Sequence, residues 1–276
     1  MSKLKVLIPT DFSVQAEFST ILVKKLAEKI PMEVHFLHVL NLPETVSISS
    51  NGEINTCGEI DLAYVRSLVD IAKEKFSQLE KSDTAIKSTN LTVGKTTAEI
   101  VGFAEKNGFD LIAMGTKGAR GIKEKISGSD TQHVARKSKV PLLSLMCDRS
   151  NLAVSKILLV HNFEENQEQD LSMLKHFVTS FQAETHFLQI EKNSSMNHQK
   201  ILADMHQFAQ NNQLSNYETH ILNDSDVESG VNHFDLLNTM DIIFIGTHGK
   251  GNILHASATE KLVNHLHKPI ISFQLN

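Results

Sequence analysis

The chain repeats itself, and the repeat restricts its possible folds more than any other feature. Lys5-Val-Leu-Ile-Pro-Thr-Asp-Phe12 aligns with Lys156-Ile-Leu-Leu-Val-His-Asn-Phe163. Val34-His-Phe-Leu-His38 aligns with Thr185-His-Phe-Leu-Gln189. Phe109-Asp-Leu-Ile-Ala-Met-Gly-Thr-Lys-Gly118 aligns with Met240-Asp-Ile-Ile-Phe-Ile-Gly-Thr-His-Gly249. Thr131–Lys139 and the following Val140-Pro-Leu-Leu-Ser144 align with Thr259–His267 and Lys268-Pro-Ile-Ile-Ser272. Lys5 pairs with Lys156 but Gly115 with Gly246, so the second copy is about 20 residues shorter, the loss falling between its second and fourth strands. Two copies of one domain, 1–148 and 153–276, suit a chain of 276 residues.

Each copy alternates apolar runs with amphipathic stretches. In the first, strands are predicted near 4–9, 33–39, 86–93, 110–115 and 141–145, and helices near 14–29, 60–81, 97–107 and 129–138. Val6-Leu-Ile8 and Leu111-Ile-Ala-Met114 are continuous apolar runs, as expected of strands covered on both faces. Strand–helix alternation implies an α/β fold: a parallel sheet with right-handed crossovers and helices on both faces. Ligands in such sheets bind beyond the strand C-termini.

At that end of the fourth predicted strand stands Gly115-Thr116-Lys117-Gly118, then nine residues, then Gly128-Ser129 and a helix start. Helix N-termini carry unpaired N–H groups and partial positive charge, and glycines allow close backbone approach, so this is a candidate anion cradle. Lys117, Arg120 and Lys123 can neutralise phosphate charge. Ser129 can donate to a phosphate oxygen while capping its helix.

Composition narrows the partners. The first 150 residues carry 20 Lys+Arg against 18 Asp+Glu, and the remainder 7 against 14, so neither half has the basic excess expected for nucleic acid. No apolar run approaches the ~20 residues that span a bilayer, and the N-terminus has no secretory pattern. Cys57 and Cys147 suggest neither a disulfide framework nor a zinc spacing. A cytoplasmic protein, with no membrane and no nucleic-acid partner, is expected.

Gly-x2-Gly-x9-Gly-Ser after the fourth strand, with Pro9-Thr10-Asp11-Phe12-Ser13 after the first, resembles the universal stress protein family in its tandem, ATP-binding form. The resemblance covers nearly the whole chain, twice. It implies two five-stranded parallel sheets of order 3-2-1-4-5, adenine-nucleotide alpha hydrolase-like. It implies ATP as the bound adenine nucleotide, a stress-response role with an unknown protein partner, and an internal pseudo-dimer through the fifth strands, with a homodimer as a further possibility. By position, Asp11 meets the adenine and ribose end, flanked by Pro9 and Thr10. Val39 meets the adenine, and Met114 and Gly115 lie under the ribose. Gly118, Gly128 and Ser129 cradle the phosphates, with Thr131 adding a hydroxyl. Asp130 departs from the pattern: its carboxylate repels a triphosphate unless Mg²⁺ bridges them.

The second copy is degraded. Asn162 replaces Asp11, and Thr259-Glu260 stands where the Gly-Ser pair should fall. One nucleotide, in the first half, is the expectation.

Other signals compete. Val93-Gly94-Lys95-Thr96 mimics the end of a P-loop but lacks glycine at Thr89, and Thr96-x-x-Glu99 is better explained as a capping box. Eleven of the 14 histidines lie in the second half. His161 and His248 are expected to face each other across the vestigial site, and His265 and His267 lie near the last strand. Metal binding is a candidate there, against ordinary surface histidines. Asn41–Glu59 is expected to be a long polar loop able to act as a lid, with Cys57 as a redox handle or an inert thiol. No catalytic constellation stands out. The favoured function is a nucleotide-binding sensor or regulator. A ligand-independent scaffold is the alternative, and a slow ATPase a weaker one.

Overall fold

A computed structural model describes residues 3–43, 45–49, 53–57, 60–116, 130–163, 170–192, 197–248, 262 and 266–275. Twelve strands and seven helices lie among them. In chain order they are β1 (Leu4–Pro9), α1 (Val14–Ala27), β2 (Met32–Leu40), β3 (Val46–Ile48), β4 (Ile54–Thr56), α2 (Leu62–Ser82), β5 (Ile86–Val93), α3 (Thr96–Lys106), β6 (Leu111–Gly115), α4 (Asp130–Lys137) and β7 (Leu142–Leu145). The second half continues with β8 (Lys156–Val160), α5 (Ser172–Phe181), β9 (Glu184–Glu191), α6 (His198–Asn211), β10 (Tyr217–Asn223), α7 (Val227–Asn238), β11 (Ile242–His248) and β12 (Ile270–Leu275).

Ten strands form one sheet, in the order β10-β9-β8-β11-β12-β7-β6-β1-β2-β5. Within each half the order is 3-2-1-4-5 and all pairings are parallel. The halves meet through their fifth strands, β7 and β12, which pair antiparallel with Leu143 opposite Ile271. Apolar fifth strands such as Leu142-Leu-Ser-Leu145 would otherwise be open edges inviting aggregation, and mutual pairing removes them.

Strand alternation sends successive side chains to opposite faces. On one face Val6 and Ile8 of β1, Leu143 of β7, and Ile271 and Phe273 of β12 belong to a single apolar layer that runs across both halves. On the other face each half keeps its own cluster: Leu7, Ile112 and Val134 in the first, Leu158, Val231 and Ile243 in the second. The shared layer makes the two halves one packed body.

Two local expectations change. The segment 41–59 is not purely loop: β3 and β4 pair as a short antiparallel hairpin. The alternation Val46-Ser-Ile48 and Ile54-Asn-Thr56 around an Asn-Gly pair carried that signal. The hairpin contacts β5, the outer strand of the first half. Nor does Thr96 start a capping box. α3 begins at Thr96 itself, with Lys95 as N-cap and no side-chain cap bond. Glu99 instead accepts from the Thr92 hydroxyl at 3.0 Å.

Candidate functional site

β1 and β6 are neighbours, and the chain leaves them in opposite directions, β1 toward β2 and β6 toward β7. A crevice therefore opens beyond their C-terminal ends. Its first wall is the turn after β1. Phe12 adopts φ 60°, a left-handed conformation uncommon for a residue with a side chain. Side chains of the turn hold it there. The Phe12 N–H donates to Thr10 Oγ1 at 2.9 Å, and the Ser13 N–H to Asp11 Oδ1 at 2.9 Å. Ser13 then caps α1 by accepting from the Ala16 N–H at 3.3 Å. The Phe12 ring packs against Phe76 at 5.2 Å and His38 at 4.8 Å.

The second wall is the end of β6. Here glycine is required by close approach: a Cβ on Gly115 would come within 1.9 Å of the Gln15 carbonyl oxygen. The contact is with backbone at the start of α1, which cannot swing aside. Thr131 in the first turn of α4 donates its hydroxyl to the Gly115 carbonyl at 3.1 Å, tying the helix start to the strand end. Asp130, one position earlier, accepts from the Thr97 hydroxyl at 3.1 Å, which joins α4 to α3.

Between these walls lies a cavity of about 660 Å³. Pro9, Thr10, Asp11, Val39, Met114, Gly115, Asp130 and Thr131 all line it. Residues 70 or more positions apart in sequence thus reach one space. Lys117, Gly118, Gly128 and Ser129, with Arg120 and Lys123, lie outside the described residues, so the expected phosphate cradle is not part of this geometry.

The lining also includes residues that sequence reasoning did not assign to the site: His38, Thr96, Ile100, Thr116 and His133. His38 is the most informative of them. Its Nδ1–H donates to the Thr10 carbonyl at 2.6 Å, bracing the β1 turn from the neighbouring strand. The signal available was its place one residue before Val39.

The second half keeps the turn with different side chains around it. Phe163 stands at the place of Phe12 and has the same left-handed conformation, φ 52°. Its N–H is accepted by His161 Nδ1 at 2.7 Å, so an imidazole nitrogen does what the Thr10 hydroxyl does in the first half. The His161 ring lies against Phe163 and Phe208, 4.9 and 5.4 Å between centroids. The side chain of His248, and all of His265, lie outside the described residues. Val39 lines the first cavity and packs on the apolar cluster of its half; Ile190, at the same place, packs with Val227 onto the apolar cluster under α7. The fit is close: a Cβ on Gly230 of α7 would stand 2.7 Å from Ile190 Cδ1.

Among the described residues no helix is long and apolar enough to cross a membrane. Cys57 is exposed beside β4, its thiol 3.9 Å from the Thr45 carbonyl oxygen.

Comparison with known proteins agrees with this geometry. A universal stress protein of Methanocaldococcus jannaschii is 33% identical over 149 residues, covering 50% of this chain and 92% of that one. A universal stress protein structure from Archaeoglobus fulgidus superposes with a TM-score of 0.76 at 20% identity, covering 99% of this chain and 96% of that chain. A putative universal stress protein from Pseudomonas aeruginosa does so with a TM-score of 0.64 at 14% identity, covering 99% and 94%. Both structural likenesses extend over the two halves together. The family model described as the universal stress protein family matches residues 4–145, the half that holds the cavity. The chain belongs to the universal stress protein family.

Proposed function

We propose that the first half binds one adenine nucleotide, ATP, and that occupancy alters a surface read by a protein partner in a stress response. The observation that carries this reading is the cavity at the β1/β6 crevice, which gathers the adenosine-end residues expected from the family resemblance. Its volume of about 660 Å³ lies in the range of small-molecule sites. The described residues fit an adenosine. Asp11 keeps a carboxylate at the cavity wall that can accept from a ribose hydroxyl or an adenine amino group. Val39, Ile100 and Met114 supply apolar surface for a base. Gly115 lets the start of α1 close directly against the end of β6, which shapes this wall of the cavity.

The phosphates would extend toward the start of α4, where a helix N-terminus favours negative charge. Asp130 opposes them there. We assign it to a Mg²⁺ bridge, the cation offsetting repulsion between carboxylate and phosphate. One Asp130 oxygen is already engaged by Thr97, which fixes the orientation of the carboxylate.

Calorimetric titration of purified protein with ATP, with and without Mg²⁺, tests the reading. One site per chain, tighter with Mg²⁺, is expected. Absence of any nucleotide binding would favour the ligand-independent scaffold. The continuous ten-stranded sheet supports that second reading, because the pairing of β7 with β12 joins the halves through residues that do not line the cavity. Turnover is expected to fall far below the roughly 1–100 s⁻¹ of useful phosphoryl-transfer enzymes. Quench-flow rates above about 1 s⁻¹ would make the chain an ATPase.

A further inference from the structure

The edge of the sheet in the second half carries a set of side chains that the nucleotide reading does not use. His186 points from β9, and Glu218 and His220 from β10. His186 Nδ1 lies 3.0 Å from His220 Nε2. Glu218 Oε2 lies 3.6 Å from each of those two nitrogens. A triangle with these edges has its centre about 2.0 Å from every corner, which matches Zn–N and Zn–O bond lengths. We propose that His186, His220 and Glu218 form a Zn²⁺ site on the β9–β10 edge, with water completing a tetrahedral set.

The surroundings suit the ion. His186 is almost fully buried, and its other nitrogen, Nε2, sits 3.3 Å from Glu184 Oε2. With Nε2–H donated to Glu184, the Nδ1 lone pair faces His220 Nε2 and is available to a metal that replaces that contact. Such carboxylate–histidine–metal chains orient the ring and raise its basicity. The His220 ring is held against Phe234 of α7, 4.7 Å between centroids. Glu218 is more than half exposed, so ion and water can enter from the solvent side. Two imidazoles and a carboxylate are a zinc donor set, and the two nitrogen donors disfavour Mg²⁺ and Ca²⁺, which take oxygen ligands.

The first half supplies an internal control. Glu33 and His35 stand at the places of Glu184 and His186, and Glu33 Oε1 lies 2.9 Å from His35 Nε2. Yet the register partners on the third strand differ. Ser88 is opposite His35 as Glu218 is opposite His186, and Asn90 is opposite Leu37 as His220 is opposite Leu188. Ser88 Oγ meets His35 Nδ1 at 2.7 Å, and Asn90 donates to Ser88. The first half thus closes the same corner with a neutral hydrogen-bond chain. Two side chains on β10, Glu218 and His220, make the difference.

The test is titration of metal-stripped full-length chain with Zn²⁺, followed by Co²⁺, whose visible absorption reports tetrahedral coordination. One Zn²⁺ per chain is expected, with Co²⁺ bands displaced by Zn²⁺. Glu218→Gln, at an exposed position, is expected to weaken binding by roughly tenfold or more, as loss of one of three protein ligands requires. The double variant Glu218→Ser, His220→Asn installs the first half's own residues, which the fold already accommodates. It is expected to abolish the site while leaving the far-ultraviolet circular dichroism unchanged. No Zn²⁺ binding by the parent chain, or unchanged affinity and Co²⁺ spectrum in a folded double variant, would overturn the proposal.

Discussion

The two halves solve one backbone problem with different side chains, and the difference separates what the fold needs from what a ligand needs. After the first strand, both turn through a left-handed phenylalanine, Phe12 or Phe163. Both stabilise it by a side-chain acceptor two residues earlier, Thr10 Oγ1 or His161 Nδ1. The turn therefore belongs to the fold. Asp11 and Asn162 follow different logic. Asp11 lines an open cavity and its Oδ1 accepts from Ser13. Asn162 Oδ1 is buried with no hydrogen-bond partner among the described residues. Val39 and Ile190 each pack on the apolar cluster of their own half, but Val39 also lines the cavity and the larger Ile190 reaches Gly230 of α7. Strand order is the same in the two halves while the residues beyond the strand ends differ.

The most damaging way to probe this contrast is Gly115→Val. A Cβ at 1.9 Å from a backbone oxygen forces β6 and α1 apart. Loss of about 3 kcal/mol or more in denaturant unfolding is expected, together with loss of nucleotide binding. Next comes Ile190→Ala against Val39→Ala. The first removes a partly buried packing partner and is expected to cost about 2 kcal/mol; the second trims a cavity wall and is expected to cost less than half of that. Equal losses in urea titrations would mean that the two positions are equally packed. Asp11→Ala is expected to weaken ATP binding by roughly tenfold, about 1.4 kcal/mol, and Asn162→Ala to leave it unchanged. An Asn162→Ala effect of similar size would erase the distinction between the halves.

The smallest effect concerns α1. Lys24 pairs with Asp83 at the end of α2, 2.9 Å apart, and this hydrogen bond holds the Asp83 carboxyl below its ordinary range. A depressed carboxyl stabilises the fold above its unfolded pKa near 3.8 and loses that contribution as pH falls through the lower folded value. With Lys24 more than half exposed, solvent screening limits the pair to a few tenths of a kcal/mol. Asp83→Asn should reduce stability slightly at neutral pH, and the difference should shrink as pH falls below 3.8, as read by urea titration across that range.

Strand and helix positions were legible because apolar runs and the repeat reported on the same backbone, whereas the strand order and the residues now seen to line the cavity came from the family resemblance. β1 and β5 fall where the alternation puts them, at Leu4–Pro9 and Ile86–Val93. The β3–β4 hairpin was overlooked because three-residue strands give too little alternation to outweigh the polar residues around them. His38 was overlooked for another reason. Its role is a hydrogen bond to a backbone carbonyl 28 positions away, and no local pattern encodes that. The His186–Glu218–His220 corner escaped notice likewise: the ligands lie on two strands, and only their register brings them together. The histidine excess of the second half pointed to metal, but to the ends of other strands.

The central claim is that nucleotide enters one half only. Photolabelling with 8-azido-ATP, followed by peptide mapping, tests it most directly. The account predicts label on the segments around Thr10-Asp11, His38-Val39 and Met114, lost on competition with ATP and in Asp11→Ala. Competable label of equal yield around Asn162 and Ile190 would contradict it.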